Sequence, residues 1–481
     1  MKKNILKSGA VQSLIASLLC IVLGLFIGWI VLLFINPTGA GEAILAVIKN
    51  FLNYSKTALQ LKNLGNTLVK TAPLLMCALS VLFAYKVGLF NIGAAGQYVA
   101  GAGVALYLAI AVQWPWWACC LAAMLAGALL ASISGLLKAT RNVNEVISGI
   151  MLNWICLYLV NMLLAPCQNS NTSETYALAG DYTDAMIPTL GLNTLLNDHK
   201  YVTIAIPVAV LIALLVWYIL SKTKLGYELC ATGLNKDAAK YAGMKGRFNI
   251  ILTMAISGGL AGLGAAMYYL TDMARWPAAV ASVPSMGFNG IAAAFLGGLH
   301  PIGAIFSSFF IQHITDGGAS ITSKGYPQEI SSLISAVIIY MCAFVLFIRQ
   351  TMSRTVDDRA ASRRARLVSE TRSILHNELN DEFNEAVAAT VNQEMEKSAR
   401  SAAESSVSLT KIPALPETAE PSFALPEPAQ TEEEYAELPT VILRKEAEPE
   451  PDKKKKDKDK KKDKDKKKDK DKKKKKGGDD R

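Results

Sequence analysis

Several side-chain amides lie inside apolar stretches of this sequence, where a polar group needs a partner. Four of them are surrounded by mostly small and uncharged residues: Asn91, Gln97, Asn153 and Asn289. An amide both donates and accepts hydrogen bonds, so in such surroundings it either joins two helices or contacts a neutral polar solute. Both interpretations stay open for each amide, and we predict the four as candidate residues of a substrate pathway.

Catalytic, metal and nucleotide chemistry find little support in the sequence. The four histidines stand singly, and the eight cysteines form no C-x-x-C pair. No Gly-Lys dipeptide occurs, which excludes a phosphate-binding P-loop and ATP hydrolysis by that route. We therefore predict a chain that is not an enzyme and has no catalytic residue, metal site or cofactor of its own.

Charge is distributed very unevenly along the 481 residues. Residues 1–349 contain 20 Lys or Arg and 11 Asp or Glu, whereas residues 350–481 contain 30 and 29. The first part is too apolar for a water-soluble domain, and the second is too polar to bury a core. The sequence therefore predicts an all-α transmembrane domain at 1–349 and a charged, mostly disordered cytoplasmic tail at 350–481.

Hydropathy divides the transmembrane domain into about ten helices. The Gly-rich stretch at 286–314 is too long for one helix, and a turn at 297–301 splits it into two short segments. If this pair is re-entrant, the number of crossings falls to eight or nine. The predicted spans are 11–35, 67–85, two within 87–137, 146–165, 201–220, 249–270, two within 286–314, and 329–348.

Lys and Arg in the short loops place both termini in the cytoplasm by the positive-inside rule. The connection 36–66 would lie outside although it carries three Lys, and its apolar residues recur at helical spacing. That spacing predicts an interfacial helix on the outer face. Ionisable groups are nearly absent from the spans, since Glu145 and Asp272 stand at span edges, and this scarcity disfavours ion-coupled transport.

Two segments, 88–97 and 287–298, form a candidate inverted repeat. Each contains an aromatic-Asn pair that opens a run of small residues. In the predicted topology the first segment enters the membrane from inside and the second from outside. Gly-broken segments in corresponding halves indicate a binding site near the middle of the membrane.

The inner loop at 221–248 predicts two short helices joined by a Gly-Leu-Asn turn at 233–235, with Gly243 ending the second helix. A solvated basic loop is the alternative. A helix pair parallel to the membrane has a shape that docks into the groove of a partner protein. The candidate coupling residues are Gly226, Glu228, Gly233, Asn235, Asp237 and Gly243.

Four segments carry a family resemblance: 88–97, 142–155, 226–244 and 287–298. In this order they resemble the permease subunit of bacterial ABC importers of the branched-chain amino acid and ribose type, and within it the nucleoside or simple-sugar branch. The resemblance implies a multi-pass protein of the plasma membrane that pairs with a second permease, often as a heterodimer. It also implies an outer solute-binding lipoprotein and cytoplasmic ATPase subunits, which hold ATP and Mg and dock on 226–244.

Two features depart from the pattern of that family. Ala95 stands where the family pattern has Glu, so the resemblance leaves the identity of the solute open. Family members generally lack the tail, in which apolar residues at about every fourth position predict a helix near 370–400. Beyond that helix a Pro-rich segment predicts disorder, and the Lys-rich run at 453–476 is a candidate for binding anionic lipid, nucleic acid or the preceding acidic stretch.

The favoured function is the translocation pathway of an ATP-driven importer for a nucleoside or a related small polar solute. A secondary transporter of a neutral polar solute is the alternative, which the scarcity of charge in the spans disfavours. A membrane anchor for an interacting tail is a further alternative, and such an anchor would not need ten spans with Gly and Asn at membrane depth.

Overall fold

A computed structural model describes residues 9–342 and 344–405, and this part of the chain is almost entirely α-helical. The all-α prediction is confirmed. The predicted disorder of the distal tail and the Lys-rich run lie outside the described residues. The helices are α1 Gly9–Ile35, α2 Ala40–Lys49, α3 Thr57–Lys86, α4 Ala94–Ile110, α5 Trp116–Arg141, α6 Glu145–Leu164, α7 Leu192–Leu195, α8 Ala205–Lys222, α9 Lys224–Leu234, α10 Lys236–Tyr241, α11 Gly246–Tyr269, α12 Met286–Leu296, α13 Pro301–Ala319, α14 Gln328–Cys342 and α15 Val345–Ser405.

Six of the described helices are long and apolar enough to cross a membrane: α1, α3, α5, α6, α8 and α11. Two further apolar helices, α4 and α12, are shorter. Each of the ten predicted spans corresponds to helical chain, and the Gly-rich stretch is split into α12 and α13 as predicted. The predicted last span, 329–348, is divided between α14 and the start of α15.

Helix α3 begins at Thr57, ten residues before the predicted span, and contains Pro73. Its first turns carry polar side chains that find partners in the protein: Asn66 bonds to His199, and the Thr67 hydroxyl accepts from Asn50. Hydropathy alone starts the span at Thr67 and leaves Asn66 out, because it scores a paired amide as if it faced lipid.

Helix α11 is the centre of the bundle and packs against α3, α4 and α5. Small residues allow this approach, since a side chain at Gly258 would overlap the Gly127 carbonyl of α5. A side chain at Gly101 of α4 would likewise overlap the backbone of Gly262. Close backbone approach between small residues is how apolar helices associate in membranes, where burial itself provides little driving force.

The connection between α1 and α3 contains the predicted helix as α2. It packs through Ala40, Ala43 and Val47 and leaves Leu45 and Ile48 exposed. The small residues face the protein and the large ones face outward. This arrangement suits a helix that lies at an apolar boundary.

The connection between α6 and α8 folds over one end of the bundle. Its two short antiparallel strands, β1 Gln168–Asn169 and β2 Glu174–Thr175, pair with each other. The Thr175 N–H donates to the Trp276 carbonyl at 2.9 Å, and the buried Trp276 indole donates to Asn161 Oδ1 at 3.0 Å. These bonds tie the long loop and α6 to the connection between α11 and α12.

The chain divides into two units, Met1–Asn384 and Glu385–Arg481. The helices α1 to α14 belong to the first unit. In the second unit the structure describes residues up to 405, which are helical. Helix α15 covers the predicted tail helix near 370–400.

Candidate functional site

Asn91 and Gln97 form a reciprocal amide pair at the start of α4. Gln97 Nε2 donates to Asn91 Oδ1 at 2.9 Å, and Asn91 Nδ2 donates to Gln97 Oε1 at 2.7 Å. Asn91 Nδ2 also reaches the hydroxyl of Ser257 on α11 at 2.7 Å and that of Ser80 on α3 at 3.2 Å. All four side chains are buried, so this network joins three helices inside the bundle.

Asn153 of α6 holds the first turn of α4. Its Oδ1 accepts from the Gly96 N–H at 2.8 Å, and its Nδ2 donates to the Ile92 carbonyl at 3.2 Å. The N–H groups in the first turn of a helix have no partner within that helix, so Asn153 supplies one from a neighbouring element. Gly96 lacks a side chain at this contact, where a Cβ would overlap Asn153.

These three predicted pathway amides use their hydrogen-bonding groups within the protein. Together with Ser80 and Ser257 they form what we call the amide network. Ser80 and Ser257 were not predicted, because a single hydroxyl in an apolar helix gives no pattern in the sequence. In the described conformation the network joins helices, and direct contact of its amides with a solute stays a prediction.

Asn289, the fourth predicted amide, differs from the other three. It lies in the first turn of α12 and is half-buried, and no described residue hydrogen-bonds to its side chain. One residue pair brings the two segments of the candidate repeat into contact, since Gly287 packs on Ala95. Ala95 is fully buried, so a Glu side chain in its place would have to displace α12.

The inner loop forms two helices that are capped by side chains of the loop itself. Thr223 Oγ1 accepts from the Gly226 N–H at 3.1 Å at the start of α9. Asn235 Oδ1 accepts from Asp237 N at 3.1 Å and Ala238 N at 3.0 Å at the start of α10. Side-chain oxygens at this position satisfy free N–H groups of the first turn. Glu228 lies 3.7 Å from Lys224, one turn before it on α9.

The predicted turn at 233–235 is wrong. Gly233 and Leu234 are helical residues of α9, and Asn235 alone joins α9 to α10. Gly233 has no positive φ; a side chain there would overlap the carbonyl of Val87, in the connection between α3 and α4. Gly243, after α10, has a φ of +81° and donates to the Lys240 carbonyl at 3.0 Å.

Large side chains on α9 and α10 point away from the protein. Leu234 is 89% exposed and Tyr241 is 94% exposed, so neither side chain packs against the bundle. Tyr227, Lys236 and Lys240 are exposed beside them. We call these five residues the coupling surface. Aromatic and aliphatic groups that protrude among charges suit contact with another protein.

His199 lies in the connection before α8 and is nearly fully buried. Its Nε2 is 2.9 Å from Asn66 Oδ1, and its Nδ1 accepts from the Tyr201 N–H at 3.4 Å. These partners assign a neutral ring that donates through Nε2. Burial lowers the pKa of His199, and the nearby Lys62 and Lys200 lower it further.

One ionic feature inside the bundle was missed in the sequence. Lys70 of α3 forms an ion pair with Asp316 of α13, with 2.8 Å between Nζ and Oδ1. Lys70 lies within the predicted span 67–85, so the signal was a single Lys in an otherwise apolar run. Within the described residues no three His, Cys, Asp or Glu side chains are grouped as metal ligands.

The sequence is similar to a known family of transport proteins and to several of its members. Residues 63–343, which contain all the predicted site residues, match the family described as branched-chain amino acid transport system, permease component. The nucleoside ABC transporter permease protein NupB of Lactococcus lactis is 32% identical over 356 residues, 71% of this chain and 93% of that protein.

Two further relatives are similar over shorter alignments. The guanosine ABC transporter permease protein NupP of Bacillus subtilis is 32% identical over 60% of this chain and 83% of that protein. The glucose ABC transporter permease protein TsgB13 of Haloferax volcanii is 30% identical over 62% of this chain and 80% of that protein. The tail at 350–481 lies beyond the matched family range.

Proposed function

This chain belongs to the family of permease components of branched-chain amino acid transport systems, and on that premise we propose that it forms the pathway by which an ATP-driven importer carries a nucleoside across the membrane. The observation that carries the proposal is the similarity to NupB, which extends over 93% of that nucleoside permease. A simple sugar is the second candidate solute, because the glucose permease TsgB13 is 30% identical.

We propose that the energy for transport comes from a partner. The sequence has no P-loop, so ATP and Mg bind to separate cytoplasmic ATPase subunits. The coupling surface is where those subunits dock. Its helices are capped by Thr223 and Asn235 and rest on the bundle through Gly233, which leaves the outward side chains free for a partner.

A second permease and an outer solute-binding lipoprotein complete the proposed transporter. Bacillus subtilis has two guanosine permease proteins similar to this chain, NupP and NupQ, at 32% and 29% identity. Lactococcus lactis likewise has NupB and NupC. Two related permeases in one organism support a heterodimer. By the positive-inside rule, both termini of this chain lie in the cytoplasm of a bacterial cell.

Among the predicted amides, Asn289 is the candidate for direct contact with the solute. Its amide is half-buried, lies on a broken helix and has no hydrogen-bond partner among the described side chains. Half-helices of this kind line solute sites in several transporter folds. The amide network would support this site by fixing the start of α4 against α6 and α11.

The proposal is tested by reconstituting the complete transporter, purified through a tag on this chain, in liposomes. Uptake of labelled guanosine should require ATP on the side of the membrane where the ATPase subunits are bound. Unlabelled nucleosides should reduce this uptake by competition. Labelled glucose serves as the second solute. Uptake of either solute by this chain alone, driven by a proton or sodium gradient, would overturn the proposal.

A further inference from the structure

The Lys70–Asp316 ion pair lies among helices that the predicted topology places in the membrane. Asp316 Oδ1 accepts from Lys70 Nζ at 2.8 Å and from Gln312 Nε2 at 3.0 Å. The side chain of Lys70 is 29% exposed and that of Asp316 is 15% exposed. The pair is therefore largely enclosed but is not sealed.

The depth of the pair follows from the helices that carry it. Lys70 precedes Lys86, the last residue of α3, by 16 residues, which is about 24 Å along the axis. Asp316 follows Pro301, the first residue of α13, by 15 residues, or about 22 Å. Tyr85 packs edge-on against Phe295 near those two ends, with 5.4 Å between ring centroids. Both charges thus lie toward the outer ends of α3 and α13 in the predicted topology, at the level where Gly317, next to Asp316, packs on the carbonyl of Val47 in α2.

Two enclosed oxygens on α13 lack a hydrogen-bond partner. Throughout the described chain, only Asp316 Oδ2 and Ser308 Oγ are buried side-chain atoms without one. Ser308, Gln312 and Asp316 are spaced four residues apart and therefore form one stripe along the helix. We call these three residues and Lys70 the α13 stripe.

An unpaired buried oxygen destabilises the conformation that contains it, because its hydrogen bonds to water have been lost. The amide network shows that buried polar groups elsewhere in this bundle find partners on neighbouring helices. Buried charges among membrane helices are rare and usually functional. The α13 stripe therefore has unused bonding capacity that begins near the outer end of α13, the side from which the proposed importer receives its solute.

The chemistry of the stripe selects among solute groups. Lys70 offers N–H donors beyond the one given to Asp316, and Asp316 Oδ2 offers an acceptor. A hydroxyl accepts and donates at once, so one alcohol group bonds to both residues. A carbonyl or an ether only accepts, and an ammonium only donates.

We propose that the α13 stripe binds the ribose hydroxyls of a nucleoside during its passage. This inference rests on the proposed function, and it adds the part of the solute that is recognised and the residues that recognise it. The ribose diol bonds to Lys70 and Asp316 Oδ2, and a second contact follows at Ser308, eight residues along α13.

Asp316→Asn tests the proposal in the complete reconstituted transporter. Its amide keeps the size of the side chain but removes the charge that holds Lys70 and the free acceptor. Initial uptake rates are measured for guanosine and 2′,3′-dideoxyguanosine. We expect the preference for guanosine to fall about tenfold or more. The outer binding subunit is identical in all samples, so its own preference cancels when variants are compared.

Glu145→Gln is the matched control. Glu145 pairs with Lys138 at 2.9 Å, and the two side chains are 27% and 13% exposed for Lys138 and Glu145, close to the values of the stripe pair. This control should leave the preference unchanged. If Asp316→Asn does not assemble, Asp316→Glu keeps the charge and moves the free oxygen by one methylene, and it should lower the preference as well.

The charge-swapped double variant, Lys70→Asp with Asp316→Lys, separates recognition from structure. Restoration of both uptake and preference would overturn the proposal, because an ion pair that only stabilises the fold works in either direction. An unchanged preference in Asp316→Asn would also overturn it. So would a selective loss of discrimination between guanosine and inosine, since that result assigns Asp316 to the base amine.

Failure of the proposed function looks different. If wild-type transporter takes up no nucleoside, the proposed function fails and the inference fails with it. If wild type takes up guanosine and the Asp316 variants keep its preference, only the inference is overturned.

Discussion

The amide network and the coupling surface are both rich in polar groups, but they satisfy those groups in opposite ways. In the network, side chains from α3, α11 and the start of α4 bond to one another, and Asn153 of α6 bonds to the backbone at the start of α4. In the helices that carry the coupling surface, the caps Thr223 and Asn235 bond only to the nearby backbone, and the larger side chains stay exposed. The first arrangement is complete within this chain, whereas the second leaves its side chains available to a partner.

Because of this difference, substitutions can separate residues that stabilise an apolar bundle from residues that bind a partner. A buried amide whose donor and acceptor are both used contributes to stability, and its loss leaves other groups unpaired. An exposed side chain on a capped helix contributes little to stability, so a cost to function on its removal indicates binding.

Asn91→Leu should give the largest effect on stability. It removes both bonds to Gln97 and the bond to Ser257 in a buried site. We expect a loss of about 3 kcal/mol, because each abandoned partner costs about 1–3 kcal/mol. Denaturant unfolding of the purified protein in detergent measures this loss.

Asn289→Leu is the matched variant for that experiment, because it makes the same change at a half-buried amide without a described partner. It should unfold at nearly the wild-type denaturant concentration and should lower guanosine uptake. If Asn91→Leu instead remains as stable as wild type, the network does not hold the helices together, and a solute contact at Asn91 gains support.

Gly233→Val should disrupt coupling strongly. A side chain at this position overlaps the Val87 carbonyl, so α9 must move away from the bundle. We expect at least about a tenfold loss of ATPase subunits copurified with the tagged chain, since displacement of a docking helix removes several contacts together. Solute-stimulated ATP hydrolysis should fall in parallel.

Gly246→Ala is the control for the loop. A Cβ at Gly246 has its nearest neighbour, Lys236 Cγ, at 3.6 Å, which is an ordinary contact. This variant should retain the ATPase subunits. Equal retention by Gly233→Val would show that the contact with Val87 does not position the coupling surface.

Tyr241→Ala should have a smaller effect, restricted to partner binding. The ring is 94% exposed, so its removal should change unfolding stability by less than about 0.5 kcal/mol. If the ring anchors a partner, binding should weaken about fivefold or more. Tyr218 of α8, also exposed but outside the coupling surface, is the control position. Full ATPase binding by Tyr241→Ala would remove this residue from the interface.

Acidification should produce the smallest change, through His199. Its pKa in the folded protein is lowered below 6.5, mainly by burial, so folding favours the neutral ring. The stability from this group is therefore present above about pH 6.5 and is lost as the pH falls through the folded pKa. Melting temperature measured between pH 7.5 and 5 should fall more steeply for wild type than for His199→Gln. Parallel curves would contradict this assignment.

The sequence alone determined the class of the fold and most of its elements. Long uncharged runs require helices in a membrane, because only a helix satisfies its own backbone there. That argument located the six long apolar helices, the shorter α4 and α12, and the Gly-rich break between α12 and α13. It failed at the start of α3, because Asn66 is polar but finds its partner, His199, in the distant connection before α8.

The tertiary structure decided what individual residues do. The sequence predicted Asn91 and Asn289 as equivalent, yet one is enclosed by three helices and the other is half-exposed. It predicted Gly233 as a turn residue, whereas the structure places it against Val87, 146 positions earlier in the chain. Whether a polar group is satisfied, and whether a glycine touches another backbone, depends on neighbours from distant segments. Composition and local spacing determine the helices, but only their packing brings Lys70 to Asp316 and leaves Asp316 Oδ2 without a donor among the described residues.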